Sequence, residues 1–445
     1  MPVRFYSAMI KKTTVIHDPL KLLSSTKKTV KLKVPEYLFI ATSNARCPKA
    51  DIYIKEGDYV KMGQVIGMRH AAFFDQPIHA SCSGTFEGYE KHFHRSGKKV
   101  DFMKFHNDFK DTEDESIHER SDAEIAALTK DQITEILKNC ASVGLGGSSF
   151  PSYIKMQTTN KINTILIDGI ECEPYIDADY RSMLENPEEI IRGIQILQQA
   201  FNCKDARICI KSRYKTIEGF YKEYLQKFND CGIKVCKVKN YYPQGWEIAM
   251  IKEATGIQVE SGHLPSEYGI MNFNVSSVIG IYQNVKYNRP VFERRVSVTG
   301  DAINAPENFV VRVGTPVKYL IDDCGGYKDP RIPKTLILGG PMMGASLDTD
   351  DCICTKTVTS VIVLNHKDYK EEPCIRCGSC VASCPVGLQP VNIMNAMKHM
   401  PVDKEKVKML NPLKCIECGL CTYSCTSKIQ VTDYVRRAKV IARLK

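Results

Sequence analysis

The sequence lacks long apolar runs. No stretch of its 445 residues approaches the ~20 consecutive apolar residues that a membrane-spanning helix needs. Residues 1–29 mix basic and apolar side chains, without the apolar block and small-residue cleavage site of a secretory leader. We therefore expect a cytoplasmic protein without a transmembrane segment of its own, which lies at the inner face of the cell membrane only where partner subunits hold it there.

Two cysteine runs near the carboxyl end have identical spacing. Their eight members are Cys374, Cys377, Cys380, Cys384, Cys415, Cys418, Cys421 and Cys425. The C-x2-C-x2-C-x3-C spacing is typical of bacterial proteins that hold two [4Fe–4S] clusters, in which the fourth cysteine of each run ligates the other cluster. The pattern predicts one cluster on the first three cysteines and Cys425, and another on Cys415, Cys418, Cys421 and Cys384. Disulfides and zinc are the alternatives, but structural zinc usually takes two separated pairs of ligands.

The formal net charge of +10 does not by itself predict nucleic-acid binding, because of where the charge lies. Residues 365–445 contain 14 Lys and Arg against 7 Asp and Glu. Anionic clusters would be partly compensated by this excess. A basic face would also suit an acidic electron-carrier protein, while a solvated surface would show the same composition. We expect no nucleic-acid partner.

Upstream of the cysteines, two kinds of periodicity follow each other. Residues 30–105 alternate as short strands with glycine turns and resemble the half-barrel sandwich of biotinyl and lipoyl carrier domains. The hairpin that would carry a modified lysine has His79 instead, so no swinging arm is expected. From residue 122 onward, helical and strand patterns alternate, which predicts an α/β sheet with helices on its faces.

Two short motifs in the α/β region predict a ligand site. The glycine-rich loop at residues 144–151 can bring its backbone close to a ligand, and Lys155 follows it. Glu171 and Glu173 follow a buried strand, where α/β sheets bind ligands. Each motif alone would also fit an ordinary helix connection or a solvated turn.

Taken together, the motifs resemble a known family. Gly-Leu-Gly-Gly at residues 144–147 with Phe150, Glu-x-Glu-Pro at 171–174, Tyr-Pro-Gln-Gly at 242–245, Val-Thr-Gly-Asp at 298–301 and the cysteine runs resemble the RnfC family, a component of the Rnf electron transport complex. The resemblance covers residues 30–445, and its middle part is similar to the NADH-binding flavoprotein of respiratory complex I. It implies FMN on the glycine-rich loop, NADH above it, and electrons that pass singly to the clusters.

The resemblance also implies roles for individual residues. Glu173 and Glu247 would act on NADH as catalytic residues. The FMN and NADH contacts would be made by Gly144, Gly146, Gly147, Phe150, Lys155, Glu171, Tyr242, Gly245 and Asn274.

We therefore expect an α/β multidomain protein. Its parts would be an arm at 1–29, a barrel-sandwich (lipoyl-like) domain at 30–110, an FMN/NADH-binding α/β domain at 122–290, a β-grasp (SLBB-like) domain at 291–345 and a helical ferredoxin-like domain with two [4Fe–4S] clusters at 365–445.

The sequence departs from the family pattern at several points. Ser148 and Ser149 stand where the family has Ala-Gly, Asp168 replaces an Asn, Trp246 occupies an acidic position and Thr426 replaces a Pro. The amino-terminal Gly-Gly-x-His segment is absent.

Two functions are therefore open. In the first, the chain is an NADH dehydrogenase component that passes electrons to a protein partner, such as membrane-bound Rnf subunits. In the second, it is a relay without NADH activity that serves a reductase, as proteins resembling RnfC do beside proline reductase and in propanediol utilisation. Cys47 would be a redox thiol in such a relative or else a structural cysteine, and a pure scaffold is a third, weaker alternative.

Overall fold

The computed structural model describes residues 20–44, 46–228 and 231–444. Most of the predicted arm, residues 1–19, lies outside the described residues, and Lys21–Leu23 forms a short 3-10 helix. Within the described part of the chain, no helix is both long and apolar enough to cross a membrane.

The first unit is built from two small antiparallel sheets. Its strands are β1 Val30–Lys31, β2 Tyr37–Ala41, β3 Lys49–Ile52, β4 Tyr59–Val60, β5 Val65–His70, β6 Asp75–His79, β7 Gly84–Phe93 and β8 Lys99–Asn107. One sheet has the order β2-β8-β7-β4 and the other β3-β5-β6, whereas β1 pairs elsewhere. Alternating apolar side chains of both sheets, among them Leu38, Ile66 and Phe86, meet in one core, which confirms the predicted barrel sandwich.

The second unit is a parallel sheet covered by helices. Its elements are α1 Asp122–Ala127, α2 Lys130–Asn139, α3 Ser152–Met156, β9 Thr164–Asp168, α4 Ala178–Glu185, α5 Pro187–Phe201, β10 Ala206–Lys211, α6 Lys215–Tyr224, β11 Ile233–Val238, α7 Glu247–Thr255, β12 Ile270–Asn274 and α8 Val275–Tyr287. Two of these helices begin with typical start residues: the Thr129 hydroxyl before α2 accepts the N–H of Gln132 at 3.2 Å, and Pro187 begins α5.

The strand order of this sheet is β11-β10-β9-β12. The chain runs outward from β9 through β10 and β11, and then returns to place β12 on the other side of β9. The carboxyl ends of β9 and β12, with Asp168 beside Asn274 in register, therefore form the topological switch point at which such sheets bind ligands.

The third unit is a mixed six-stranded sheet with the order β1-β14-β13-β17-β15-β16. Its remaining elements are β13 Glu293–Thr299, β14 Glu307–Arg312, α9 Val317–Asp323, β15 Lys334–Leu338, β16 Ala345–Leu347 and β17 Ser360–Asn365. The sheet extends past residues 291–345 at both ends, because β1 precedes the barrel sandwich and β17 leads into the cysteine segment. Val296, Val298, Phe309 and Val361 are buried in its core.

The carboxyl-terminal unit is helical. Its helices are α10 Ser379–Ala382, α11 Pro390–Lys398, α12 Lys404–Met409, α13 Leu420–Tyr423 and α14 Val431–Arg443. Ile393, Val407, Val435 and Ala438 pack between them. Each cysteine run begins in a loop and enters a short helix, α10 or α13.

Candidate functional site

A cavity of about 430 Å³ lies at the switch point of the parallel sheet. The residues that line it include ten of the eleven that were predicted to contact flavin or NADH: Gly144, Gly146, Gly147, Phe150, Lys155, Glu171, Glu173, Gly245, Glu247 and Asn274. The eleventh, Tyr242, is buried just behind the wall. Residues that are up to 130 positions apart in sequence thus meet in one place.

The glycine-rich loop exposes its backbone to this cavity. A Cβ atom on Gly146 would lie only 2.9 Å from Cγ of Asn274, so a side chain cannot be accommodated there. Gly147 has φ +105°, with nothing within 4 Å of its Cβ position, and a flat ligand can approach it closely. Ser149 adopts φ 55°, a left-handed conformation that favours glycine.

Three carboxyl groups of the cavity share an unusual electrostatic environment. Burial raises the pKa of Asp168 to about 7, and it raises that of Glu173 to about 7 as well. Burial also raises the pKa of Glu171 to about 7, against the opposing effect of the Lys21 ammonium. A reducible ligand would therefore meet groups that can exchange protons near neutral pH.

Glu171 is held by the protein itself. Its carboxylate accepts the N–H groups of Asp179 at 2.8 Å and Tyr180 at 3.2 Å, at the start of α4. Lys21 Nζ lies 3.8 Å from Glu171 Oε2 and also donates to the Ile176 carbonyl. Glu171 thus shapes the cavity by anchoring both α4 and the segment at residues 20–25.

Glu173 connects the cavity to the cysteine segment. Its carboxylate accepts the N–H of Met342 at 3.0 Å and lies 3.4 Å from the Tyr242 hydroxyl. That hydroxyl donates to the Cys418 carbonyl at 2.9 Å, and Ile416 of the same loop lines the cavity. The loop of the second cysteine run therefore forms part of the cavity wall.

Basic side chains reach the cavity from outside the predicted motifs. Arg95 comes from the barrel sandwich and donates to the Gly147 carbonyl at 3.3 Å. Arg294, from β13, donates to the Leu145 carbonyl at 3.3 Å. Lys155 was predicted, and it donates to the Asn272 carbonyl at 2.8 Å. These cations suit the phosphate of a nucleotide or flavin.

The cysteines are arranged in two groups. Cys384, Cys415, Cys418 and Cys421 line one small cavity, so the fourth cysteine of the first run lies with the first three of the second. At the other group, Cys377 Sγ lies 3.9 Å from the hydroxyl of Thr426, the neighbour of Cys425. This crossing over is the arrangement predicted for two clusters.

The donor set fits [4Fe–4S] clusters. The four thiolates of such a cluster each bind a different iron and stand around the cluster, and Cys384, Cys415, Cys418 and Cys421 stand around one small cavity. Among the described residues, no group of three or more His, Cys, Asp or Glu is close enough together to hold a single metal ion. Backbone N–H groups of Leu388 and Glu417 donate to Cys384 and Cys415 sulfurs at 3.3 Å each.

The two cysteine groups differ in exposure. Cys384 and Cys418 are buried, while Cys374 and Cys377 are exposed. Cys47, in contrast, is fully buried, and burial raises the pKa of its thiol. This favours the structural alternative for Cys47, because the thiolate is the reactive form.

Comparison with protein families gives the same order of domains. Residues 13–110 match the RnfC barrel sandwich hybrid domain, and residues 137–283 match the Nuo51 FMN-binding domain. Residues 295–346 match the SLBB domain, and residues 373–429 match a 4Fe-4S dicluster domain. The predicted fold class, the FMN cofactor and the two clusters are thereby confirmed.

Relatives match over most of the chain. The C component of a proton-translocating ferredoxin:NAD(+) oxidoreductase complex from Clostridium ljungdahlii is 33% identical over 428 residues, which are 95% of this chain and 92% of that protein. The corresponding component of the Na(+)-translocating complex from Acetobacterium woodii is 32% identical over 85% of both chains. Its counterpart in the ion-translocating oxidoreductase complex of Haemophilus influenzae is 32% identical over 84% of this chain and 58% of its own length.

A solved structure shares the fold alone. A chain of the NAD+-reducing [NiFe]-hydrogenase in its H2-reduced state matches with a TM-score of 0.50 and 12% identity, over 71% of this chain and 61% of that chain. The domain order, the crossed cysteine groups and the relatives lead to one conclusion: the chain belongs to the RnfC family and is a flavo-iron–sulfur electron-transfer protein.

Proposed function

We propose that this chain oxidises NADH at FMN and passes single electrons through both clusters to a partner protein. The observation that carries the proposal is that the cavity at the switch point and the second cysteine group share a wall. Ile416 lines this cavity, and the hydroxyl of Tyr242, behind the wall, donates to the Cys418 carbonyl. The second cysteine group is therefore directly behind the predicted flavin site. FMN, when bound, takes an electron pair from NADH and releases single electrons.

Within this proposal the residues of the cavity have distinct tasks. Glu173 and Glu247 contact NADH, and Glu173, with its raised pKa, can hold or release a proton near neutral pH. The FMN and NADH contacts come from Gly144, Gly146, Gly147, Phe150, Lys155, Glu171, Gly245 and Asn274. Tyr242 acts from behind the wall, as a positioning residue between Glu173 and the Cys418 loop.

The exposure of the cysteines supports an order for the two clusters. The group of Cys384, Cys415, Cys418 and Cys421 is next to the cavity and would receive electrons first. The group that includes Cys374 and Cys377 reaches the surface, where the exposed Ile375 and the basic excess of residues 365–445 suit an acidic partner. The relatives are named as subunits of ion-translocating complexes, so we propose membrane-bound Rnf-type subunits as partners and a peripheral position on the cytoplasmic face.

The test uses full-length protein loaded with FMN and reconstituted with iron and sulfide under argon. About eight irons per chain are expected for two four-iron clusters. Mixing with NADH should bleach the flavin absorbance within seconds, and a reduced-cluster signal should follow in electron paramagnetic resonance. Glu247→Gln should slow the bleaching, whereas Glu253→Gln, further along the same helix, should not. A flavin that NADH leaves oxidised would contradict the proposal.

One observation favours the second function, a relay without NADH activity. The Arg46 guanidinium lies 5.5 Å from the ring centroid of Phe150 and donates to the Ser148 carbonyl at 3.0 Å. It therefore covers an aromatic face that NADH would use. In that case both clusters would be reducible by dithionite but not by NADH, and Arg46→Ala would restore flavin reduction by NADH.

A further inference from the structure

The cavity of about 430 Å³ at the switch point is called the flavin cavity below. A second, larger cavity of about 660 Å³ lies outside it. The barrel sandwich, the glycine-rich loop, the mixed sheet and the helical unit all contribute to its lining. It meets the flavin cavity at Arg95, Gly147 and Ser148, which line both. No predicted flavin, NADH or cluster residue other than Gly147 lines it.

The lining is strongly basic. Its charged side chains are five cations, Arg46, Arg69, Arg95, Lys356 and Arg443, and one carboxylate, Glu417. Glu417 is already paired with Arg436 and Lys439, so it does not neutralise the others. Burial and the nearby Arg69 lower the pKa of Lys356 to about 8, as expected where cations gather without anions.

Two of the cations are fixed in place and still have free donors. Arg69 donates through Nε to the Thr42 carbonyl at 3.2 Å and through Nη2 to the Ala41 carbonyl. Arg95 donates through Nη1 to the Thr357 carbonyl at 2.7 Å. Because a guanidinium has five N–H donors, each retains donors for a ligand at little further loss of side-chain entropy.

Part of the remaining wall is apolar. Phe39, Ile78, Val291 and Phe292 form it. A ligand that matches this lining carries an anion for the cations and a flat apolar body for the aromatic side chains. Inorganic phosphate provides only the first of these.

We propose that this cavity is a binding site for a phosphorylated nucleoside, with its phosphate at Arg69, Arg95 and Lys356 and its base against the apolar side chains of the wall. The inference does not rest on the proposed NADH activity. The same chemistry has two sources: a separate nucleotide, or the ADP half of a dinucleotide that extends from the flavin cavity past Gly147.

The test uses ADP, adenosine and pyrophosphate as probes, measured by calorimetry on the full-length, FMN-loaded protein. ADP is expected to bind, and adenosine and pyrophosphate each at least tenfold more weakly. Lys356→Gln should weaken ADP binding at least tenfold, because one phosphate contact is lost, whereas Lys91→Gln, at an exposed site on β7, should not change it. Absence of ADP binding at millimolar concentration, or equal affinity in the Lys356→Gln variant, would overturn the proposal.

A second measurement needs no variant. The lowered pKa makes Lys356 reactive toward amine acylation near pH 8, and bound ADP should protect it, as read by peptide mass spectrometry; unprotected Lys356 at saturating ADP would also overturn the site. The two sources are then separated by NADH kinetics. ADP that competes with NADH in flavin reduction identifies the dinucleotide, and ADP that binds without competing identifies a separate nucleotide.

Discussion

The hydroxyl of Tyr242 donates a 2.9 Å hydrogen bond to the carbonyl oxygen of Cys418. Tyr242 comes from the loop after β11, and Cys418 from the second cysteine run, 176 positions later. The same hydroxyl lies 3.4 Å from Glu173. One buried side chain thus connects an ionisable group of the predicted flavin cavity to the backbone of a predicted cluster ligand.

Tyr242→Phe should slow electron transfer from flavin to clusters while leaving FMN bound. Loss of the hydroxyl removes one buried hydrogen bond, about 1 kcal/mol of stability, and lets the Cys418 loop move relative to the cavity. The rate of cluster bleaching after NADH addition, measured by stopped flow, checks the expectation.

Tyr221→Phe is the matched control. Tyr221 is also fully buried, and its hydroxyl donates to the Met183 carbonyl at 3.1 Å within the α/β unit. Its loss should lower the melting temperature similarly but leave the rate of cluster reduction unchanged. Equal rates in both variants would show that Tyr242 has a structural role alone.

The crossed cysteine groups predict different losses from two equivalent substitutions. Cys384→Ala should remove the cluster next to the flavin cavity, and Cys425→Ala the one near the surface, so about four irons remain in each variant. Only the Cys425→Ala protein should retain a cluster that NADH reduces through the flavin. Iron content and electron paramagnetic resonance, with Cys324→Ala as control, check this; NADH-reducible iron in the Cys384→Ala variant would reverse the proposed order.

Glu173 should make stability depend on pH in an unusual direction. Its pKa is raised from 4.5 to about 7 in the folded state, so the folded protein binds more protons than the unfolded chain between these values. The contribution of Glu173 is therefore most favourable at low pH and is lost as pH rises through this window.

Glu173→Gln keeps an oxygen acceptor for Met342 and removes the titration. We expect the melting temperature of the variant to rise relative to wild type between pH 5 and pH 7, where the folded wild-type protein holds the extra proton, with both proteins flavin-free and cluster-loaded. A melting-temperature difference that does not change with pH would contradict the raised pKa.

Ser149→Gly should stabilise the protein. Ser149 adopts φ 55°, and a left-handed residue other than glycine costs roughly 1 kcal/mol. Ser148 has no such conformation, so Ser148→Gly should gain nothing. Thermal unfolding of both variants checks the difference, and a loss of stability in Ser149→Gly would show that the Ser149 side chain makes a compensating contact.

The short-range features of this molecule could be predicted from the sequence. The cysteine spacing predicted the crossed groups, because the ligands of one loop are three residues apart. The glycine-rich loop and Glu173 were likewise recognisable, since each is a compact motif beside a strand or helix boundary.

The long-range features could not be predicted in the same way. Lys21 reaches Ile176 across 155 positions, and Arg294 contacts the Leu145 carbonyl across 149. No local pattern marks a lysine or arginine as buried, because only the packing of separate units brings it to the site. For Lys21, the only signal in the sequence is that a basic residue lies upstream of the predicted site, in a segment without periodicity.

The edge strand β1 has a consequence for how this chain can be divided. Val30 and Lys31 pair in parallel with Phe309 and Val310. In sequence, the barrel sandwich is therefore inserted between two strands of one sheet, and it is not an independent domain. A truncation that removes the residues before 32 would leave the edge of β14 unpaired. The same sheet contains β17, which leads into the cysteine segment. Fragments of either half should therefore contain residues 30 and 31 together with 293–365. Without residues 30 and 31, the unpaired edge of β14 would associate with the same edge of another copy.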